Sequence, residues 1–231
     1  MIGNKRVIAL VPARGGSKSV PMKNLQLLGS DPLVAWPIKQ AIETKEIDRV
    51  IVSTDDEAIA DVARRSGAEV YKRSVDLASD TALVVDVIRD LWSTLKVEGE
   101  TAEILVLLEA TSPFREHGLI SRCLKRLEGD GLDSIATFSS AAINPERTWL
   151  VESGVPRPFL DDAIPWKPRQ QLKEAFQLNG AVYAFRPDQL PPDALGLLFG
   201  RSGAEIVDQE SVVDIDDKRD FIIANAILNA R

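Results

Sequence analysis

The residues of this chain that could do chemistry fall into a few short stretches. The first is VPARGGSKSVPMKN, residues 11–24. Gly15 and Gly16 let backbone N–H groups approach an anion with no Cβ in the way. Arg14 and Lys23 supply charge, arginine being suited to two-point contact with a phosphate. The stretch matches neither G-x-x-x-x-G-K-[ST] nor G-x-G-x-x-G. It therefore reads either as a solvated basic turn or as a third kind of nucleotide loop. The second stretch is VVDIDDKRDF, residues 212–221. If it is extended, Asp214 and Asp216 face one side across Ile215 and can share a cation with substrate oxygens. Alternatively these acids open the last helix, where carboxylates suit the positive end of the dipole, a role Asp217 can fill by itself. The third stretch is PRQQLKEAFQLNGAVYAF, residues 168–185. Arg169, Gln170 and Gln171 are oddly polar for a packing element, and Asn179-Gly180 taken alone is a turn signal.

Such residues need elements to position them, and the apolar pattern supplies these. Residues 6–11 (RVIALV), 49–54 (RVIVST), 103–108 (EILVLL) and 134–138 (SIATF) are short, largely apolar runs of the kind that parallel strands buried on both faces show. Between them, residues 32–42 and 57–66 read as helices, the second closed by Gly67. Residues 80–95 place Leu83, Val84, Val87, Ile88, Leu91 and Leu95 on one helix face, with a start at Ser79 and Asp80. This alternation predicts an α/β fold, a Rossmann-like, mainly parallel open sheet with helices on both faces. Ligands of such sheets sit outside the carboxyl ends of the strands. PARGGSK, STDD and EATSPFR all fall there. Residues 141–178 break the rhythm with five prolines but carry Trp149, Phe159, Trp166 and Phe176. That composition predicts a folded excursion packing on a second copy of the chain, ahead of an intramolecular lid. The chain then returns to the sheet with GAVYAF (180–185) and ends in a helix over 217–229. No internal repeat appears, and the whole reads as one domain, 1–231.

The bulk composition removes several classes of function. The 231 residues carry 28 Lys and Arg against 35 Asp and Glu, a net charge of -7, which argues against general nucleic-acid binding. No apolar run reaches the roughly 18 residues of a membrane span, and the N-terminus lacks the pattern of a signal peptide, so a cytoplasmic protein is expected. The single cysteine, Cys123, reads as a buried hydrophobe. The single histidine, His117, leaves no His-rich zinc site, so any metal would be held by oxygen ligands, as magnesium is.

Taken in order along the chain, VPARGGSKSVPMKN, KRSVDLASDTA (72–82), LLEATSPFR (107–115), PRQQL, FQLNGAVY and VDIDDKRDF resemble the acylneuraminate cytidylyltransferase family, which includes the CMP-sialic acid synthetases. The resemblance implies a homodimer, or a tetramer built from one, that joins CTP to a sialic-acid-like nonulosonic acid for cell-surface glycan synthesis. Carried over by position, Arg14, Gly15, Gly16, Ser17, Lys23, Asn24 and Arg73 would hold CTP, and Asp214 and Asp216 would bind Mg2+. Glu109, Thr111, Ser112, Arg169, Gln170 and Asn179 would lie on the sugar side, with Arg169 in a segment that reaches the neighbouring subunit's site. Arg14, Lys23, Asp214 and Asp216 would carry the chemistry, in which an anomeric hydroxyl attacks the α-phosphorus of CTP. The chain departs from the family at Glu109, where glutamine is usual, and at Ser19, where glycine is common. A carboxylate at 109 points away from N-acetylneuraminate itself towards a legionaminic- or pseudaminic-type acid. Asp-x-Asp pairs also serve metal-dependent glycosyltransferases, but a basic loop directly after the first strand suits a triphosphate better.

Overall fold

The computed structural model describes residues 1–208 and 213–230; Val212 of the VVDIDDKRDF stretch lies outside them. Eleven strands and five α-helices alternate along these residues. The strands are β1 (Val7–Pro12), β2 (Leu27–Leu28), β3 (Asp31–Pro32), β4 (Arg49–Thr54), β5 (Glu69–Lys72) and β6 (Ile104–Leu107). They continue with β7 (Ser134–Ser140), β8 (Trp149–Glu152), β9 (Val155–Pro158), β10 (Phe176–Phe185) and β11 (Ser202–Ile206). The helices are α1 (Ala35–Glu43), α2 (Glu57–Arg65), α3 (Val84–Val97), α4 (Leu119–Gly129) and α5 (Lys218–Ala230).

Seven strands form one sheet in the order β11-β7-β10-β6-β1-β4-β5. β1 pairs in parallel with both β4 and β6, β4 with β5, and β11 with β7. The mainly parallel sheet read from the sequence is thus present, with one strand reversed: β10 runs antiparallel between β6 and β7. Its apolar run, buried on both faces, looks the same in either direction. Successive residues of β1 feed opposite cores. Val7, Ala9 and Val11 pack with Ile38 of α1, Ile59 of α2 and Leu124 of α4. Ile8 and Leu10 pack with Ile88, Leu91 and Leu95 of α3. Helices therefore cover both faces, as predicted. Among the described residues no helix is long and apolar enough to cross a membrane. Cys123 is fully buried in the α4 core, where desolvation lifts its thiol to about 12.

Two helix starts differ from the sequence reading. Pro32 belongs to a small ribbon of β2 and β3, so α1 begins only at Ala35. Ser79 and Asp80 do not start α3, whose N-cap is Leu83; Asp80 is committed elsewhere, as described below. Residues 141–178 form no α-helix but two single-turn 3-10 helices (Pro145–Arg147 and Arg169–Gln171), the β8–β9 hairpin and the first residues of β10. There the Trp149 and Trp166 rings meet edge to face at 6.0 Å, while Trp166 is 84% and Phe159 59% exposed. A third small core, with Leu28, Leu33, Phe114, Ile215 and Ala224, fastens α5 beside the site.

Candidate active site

The carboxyl ends of β1, β5 and β6 open onto a cavity of about 560 Å3. The first wall is the loop after β1. Met22 adopts the left-handed region (φ 50), turning the chain just before Lys23 and the buried Asn24. The Asn24 amide donates to the Arg14 carbonyl at 2.9 Å, pinning the two ends of the loop together. At its rim the Gly15 N–H donates to Asp55 Oδ1 at 3.0 Å. A Cβ on Gly15 would lie 2.9 Å from Asp56, so glycine is needed for that approach. Asp56 itself caps α2 by accepting from Ile59 N–H at 2.9 Å. After β5 comes Arg73, buried, with Nε donating to Ser53 Oγ at 3.2 Å and Nη2 to the Ser53 carbonyl at 2.9 Å. These bonds hold the guanidinium at the cavity edge, with Asp55 the acidic charge acting on it.

The acidic wall comes from the far end of the chain. Ile215 is fully buried and its N–H donates to the Thr111 carbonyl at 2.8 Å. That anchor leaves Asp214 and Asp216 flanking it, outside any helix or strand. Thr111 hydrogen-bonds the Asp214 carboxylate. Asp217 caps α5, accepting from Asp220 N–H at 3.1 Å, while Asp220 accepts from Asp217 and Asp216 N–H, each at 2.8 Å. This reciprocal box satisfies the helix end and releases Asp214 and Asp216 from capping. Lys23 crosses from the basic wall, donating to the Ile215 carbonyl at 2.8 Å and lying 3.3 Å from Asp216 Oδ1. Ser19 Oγ donates to the Asp216 carbonyl at 2.5 Å.

Electrostatics follow from this crowding. Desolvation, then the Asp216 charge, raises Asp214 above the usual carboxylate range. Glu109 is pushed up to about 7, first by burial and then by Asp214, with Arg115 and Lys23 only partly offsetting these. A carboxylate held up by the charge of a second one beside it, as Asp214 is by Asp216, makes a donor pair that a hard divalent cation would relieve. Among the described residues no cluster of three or more metal-binding side chains exists. A cation held by Asp214 and Asp216 would therefore take its remaining ligands from phosphate oxygens and water, as magnesium readily does.

Of the residues predicted from sequence, Arg14, Ser17, Lys23, Asn24, Arg73, Glu109, Thr111 and Asp216 line this one cavity. Asp214 is tied to it through Thr111. Gly15 and Gly16 belong to the rim rather than the lining, and Gly16 has open space where a Cβ would stand. Ser112 and Asn179 are buried behind the wall. Ser112 Oγ donates to the Asn179 carbonyl at 2.7 Å, and Asn179 Oδ1 accepts from Thr137 Oγ1 at 2.6 Å. Arg169 and Gln170 are not brought to the cavity within this chain. They line a separate hollow of about 600 Å3 beside Asn144, Arg147 and Lys173. The sequence reading missed Arg115, Lys18, Asp55 and Asp80. Arg115 is buried and donates to the Ala181 carbonyl (2.6 Å), Gln40 Oε1 (2.8 Å) and the Glu109 carbonyl (2.9 Å). Its position inside TSPFR was the only local signal. Lys18, Asp55 and Asp80 lie in stretches already placed at the ligand edge or in the family resemblance (PARGGSK, STDD and KRSVDLASDTA), but their partners lie dozens of positions away, so no local signal gave these residues their pairing.

Comparison with known proteins supplies the family. The cytidylyltransferase family profile matches residues 8–192. The chain belongs to the cytidylyltransferase family. Its reaction is CTP-dependent nucleotidyl transfer. This cytidylyltransferase is similar to the post-translational flagellin modification protein B of Campylobacter coli, with 29% identity covering 97% of this chain and 96% of that one. It is 33% identical to a CMP-N,N'-diacetyllegionaminic acid synthase of Legionella pneumophila over 80% of each chain. It is 34% identical to the N-acylneuraminate cytidylyltransferase of Oncorhynchus mykiss, spanning 96% of this chain but 50% of that longer protein. Among solved structures, the CMP:2-keto-3-deoxy-manno-octonic acid synthetase complexed with CTP shares the fold. It superposes with a TM-score of 0.70 at 16% identity, covering 98% of this chain and 99% of that one.

Proposed function

We propose that this cytidylyltransferase activates a nine-carbon α-keto sugar acid with CTP, releasing pyrophosphate and the CMP-sugar. The observation that carries the reading is the single cavity in which Arg14, Lys23 and Arg73 face Asp216 across the ends of the parallel strands. In the reaction the anomeric hydroxyl attacks the α-phosphorus and gives up its proton to solvent, the new O–P bond forms, and pyrophosphate leaves with the old bond's electrons. Such a transfer needs alignment and charge neutralisation more than covalent catalysis. Arg14 and Lys23 neutralise phosphate oxygens, Ser17 and Asn24 shape the loop around them, and Arg73 faces the base and ribose. Asp214 and Asp216 would hold Mg2+, which supplies charge at the phosphates when bound.

On the sugar side, Glu109 and Thr111 offer acceptors for hydroxyl or amide N–H groups. Ser112 and Asn179 brace the wall from behind. The carboxyl at 109, together with relatives named as diacetyllegionaminic acid synthases, favours a legionaminic-type acid over N-acetylneuraminate. The exposed aromatics of the 141–178 arm support a homodimer, in which Arg169 and Gln170 would reach the partner's cavity. The test is pyrophosphate release from CTP and Mg2+ with a panel of nonulosonic acids. Turnover with at least one member is expected, and silence across the panel from folded protein would refute the reading. Asp216→Ala should lower kcat by about 10²-fold or more without changing the melting temperature, since the Asp216 side chain is 78% exposed.

A further inference from the structure

The cations of the basic loop already have a partner. Asp80 Oδ1 lies 2.7 Å from Arg14 Nη1, and its Oδ2 lies 2.5 Å from Lys18 Nζ. Arg14, Lys18 and Asp80 all line the nucleotide cavity, so a side-chain carboxylate sits where the loop would offer its charge to a phosphate. The same substitution recurs at Gly15, whose N–H is taken by Asp55. Asp80 belongs to neither a strand nor a helix: it lies between β5 and α3, displaced from the cap that its sequence suggests. Its side chain is 38% exposed, so the bridge can open without uncovering a core. Lys18 and then Arg14 hold its carboxyl below the usual range, leaving it anionic at neutral pH.

We infer that Asp80 is an internal anion that occupies the triphosphate-binding cations of the free enzyme and is displaced when a nucleotide enters. The inference rests on the proposed placement of CTP in this cavity. Displacement makes nucleotide affinity depend on phosphate charge. A triphosphate offers several oxygens to Arg14 and Lys18 at once and replaces Asp80 readily, whereas a single phosphate must give up one of the two cations. After transfer the carboxylate is at hand to reclaim both cations as pyrophosphate departs. Asp80 thereby sets selectivity between triphosphate and monophosphate and assists emptying of the site, without touching the reacting atoms.

The test is calorimetric titration of CTP and CMP into the full chain, wild type and Asp80→Asn. Asp76→Asn serves as control, removing an exposed carboxylate from the same segment that does not contact Arg14 or Lys18. The Kd for CTP should fall about three- to tenfold in Asp80→Asn, in line with the loss of two competing exposed ion pairs. Asp80→Ser should repeat the gain, and Asp76→Asn should not. The Kd for CMP should fall by a larger factor than that for CTP, narrowing discrimination. Equal gains from Asp76→Asn and Asp80→Asn would reduce the effect to general charge and overturn the inference. Unchanged or weaker CTP binding in Asp80→Asn, with normal binding by the wild type, would overturn it while leaving the site reading intact. Failure of the wild type to bind CTP would overturn both.

Discussion

Replacing Glu109 by glutamine should stabilise the protein, and only above mildly acidic pH. The carboxyl is raised from 4.5 to about 7 by burial and by the Asp214 and Asp216 charges. Between those two pH values the folded state binds more protons at this position than the unfolded state does. Stability therefore falls as pH rises through this window, the reverse of an ion-paired carboxylate. The full gap is worth about 3 kcal/mol at pH 8. For a chain of this size that corresponds to about 6–12 °C in melting temperature. Glutamine keeps the shape and carries no charge, so Glu109→Gln should melt with the wild type at pH 5. It should pull ahead steadily towards pH 8. The assay is a pair of thermal melts across pH 5–8 without nucleotide or metal, reading only the difference between the two proteins. Parallel profiles, or a wild type that gains on the variant as pH rises, would refute the electrostatic account of this wall. A gain of similar size at pH 5 would assign the effect to packing instead.

Two further substitutions probe how the wall and the acidic pair are held. Gly180→Ala should destabilise by about 2–4 kcal/mol, measured by urea unfolding. Its φ is +69, and a Cβ would meet Glu109 Oε2 at 2.6 Å and Ser112 Oγ at 2.7 Å. Asp217→Ala should cost about 1 kcal/mol through loss of the α5 cap, and should raise KM for Mg2+ by letting the Asp214–Asp216 segment fray. A cost confined to stability would show that the segment is held by Ile215 alone.

The central strands could be read because each is an apolar run bounded by polar loops, and the motifs sat at their ends. The edges could not. β5 (EVYK) and β11 (SGAEI) are four and five residues long with half-exposed faces, too little to separate them from loop. The reversal of β10 was hidden because burial on both faces erases the alternation that marks an antiparallel strand. Within the site, Arg14, Lys23 and the Asp-x-Asp pair announced themselves by composition and spacing. Ser79-Asp80 carried a strong local capping signal that lost to two cations reaching across the cavity. Asp217 could be identified as a cap from its place beside the pair. Arg115 sat inside a motif at the ligand edge with no role of its own, and only the closing of α1, β10 and the loop after β6 around it made it a buried brace.

The clasp between Ser19, Lys23 and the Ile215–Asp216 backbone joins residues separated by 192 and 197 positions. A nascent chain could have all its strands paired through residue 185 and still lack the acidic half of its active site. Contacts of such long separation are costly to close and slow to form. The proposed cation site is thus complete only once α5 has docked. With Asp214 and Asp216 holding the cation as proposed, copies in which this segment has not docked are expected to bind nucleotide phosphate with the loop without consuming it.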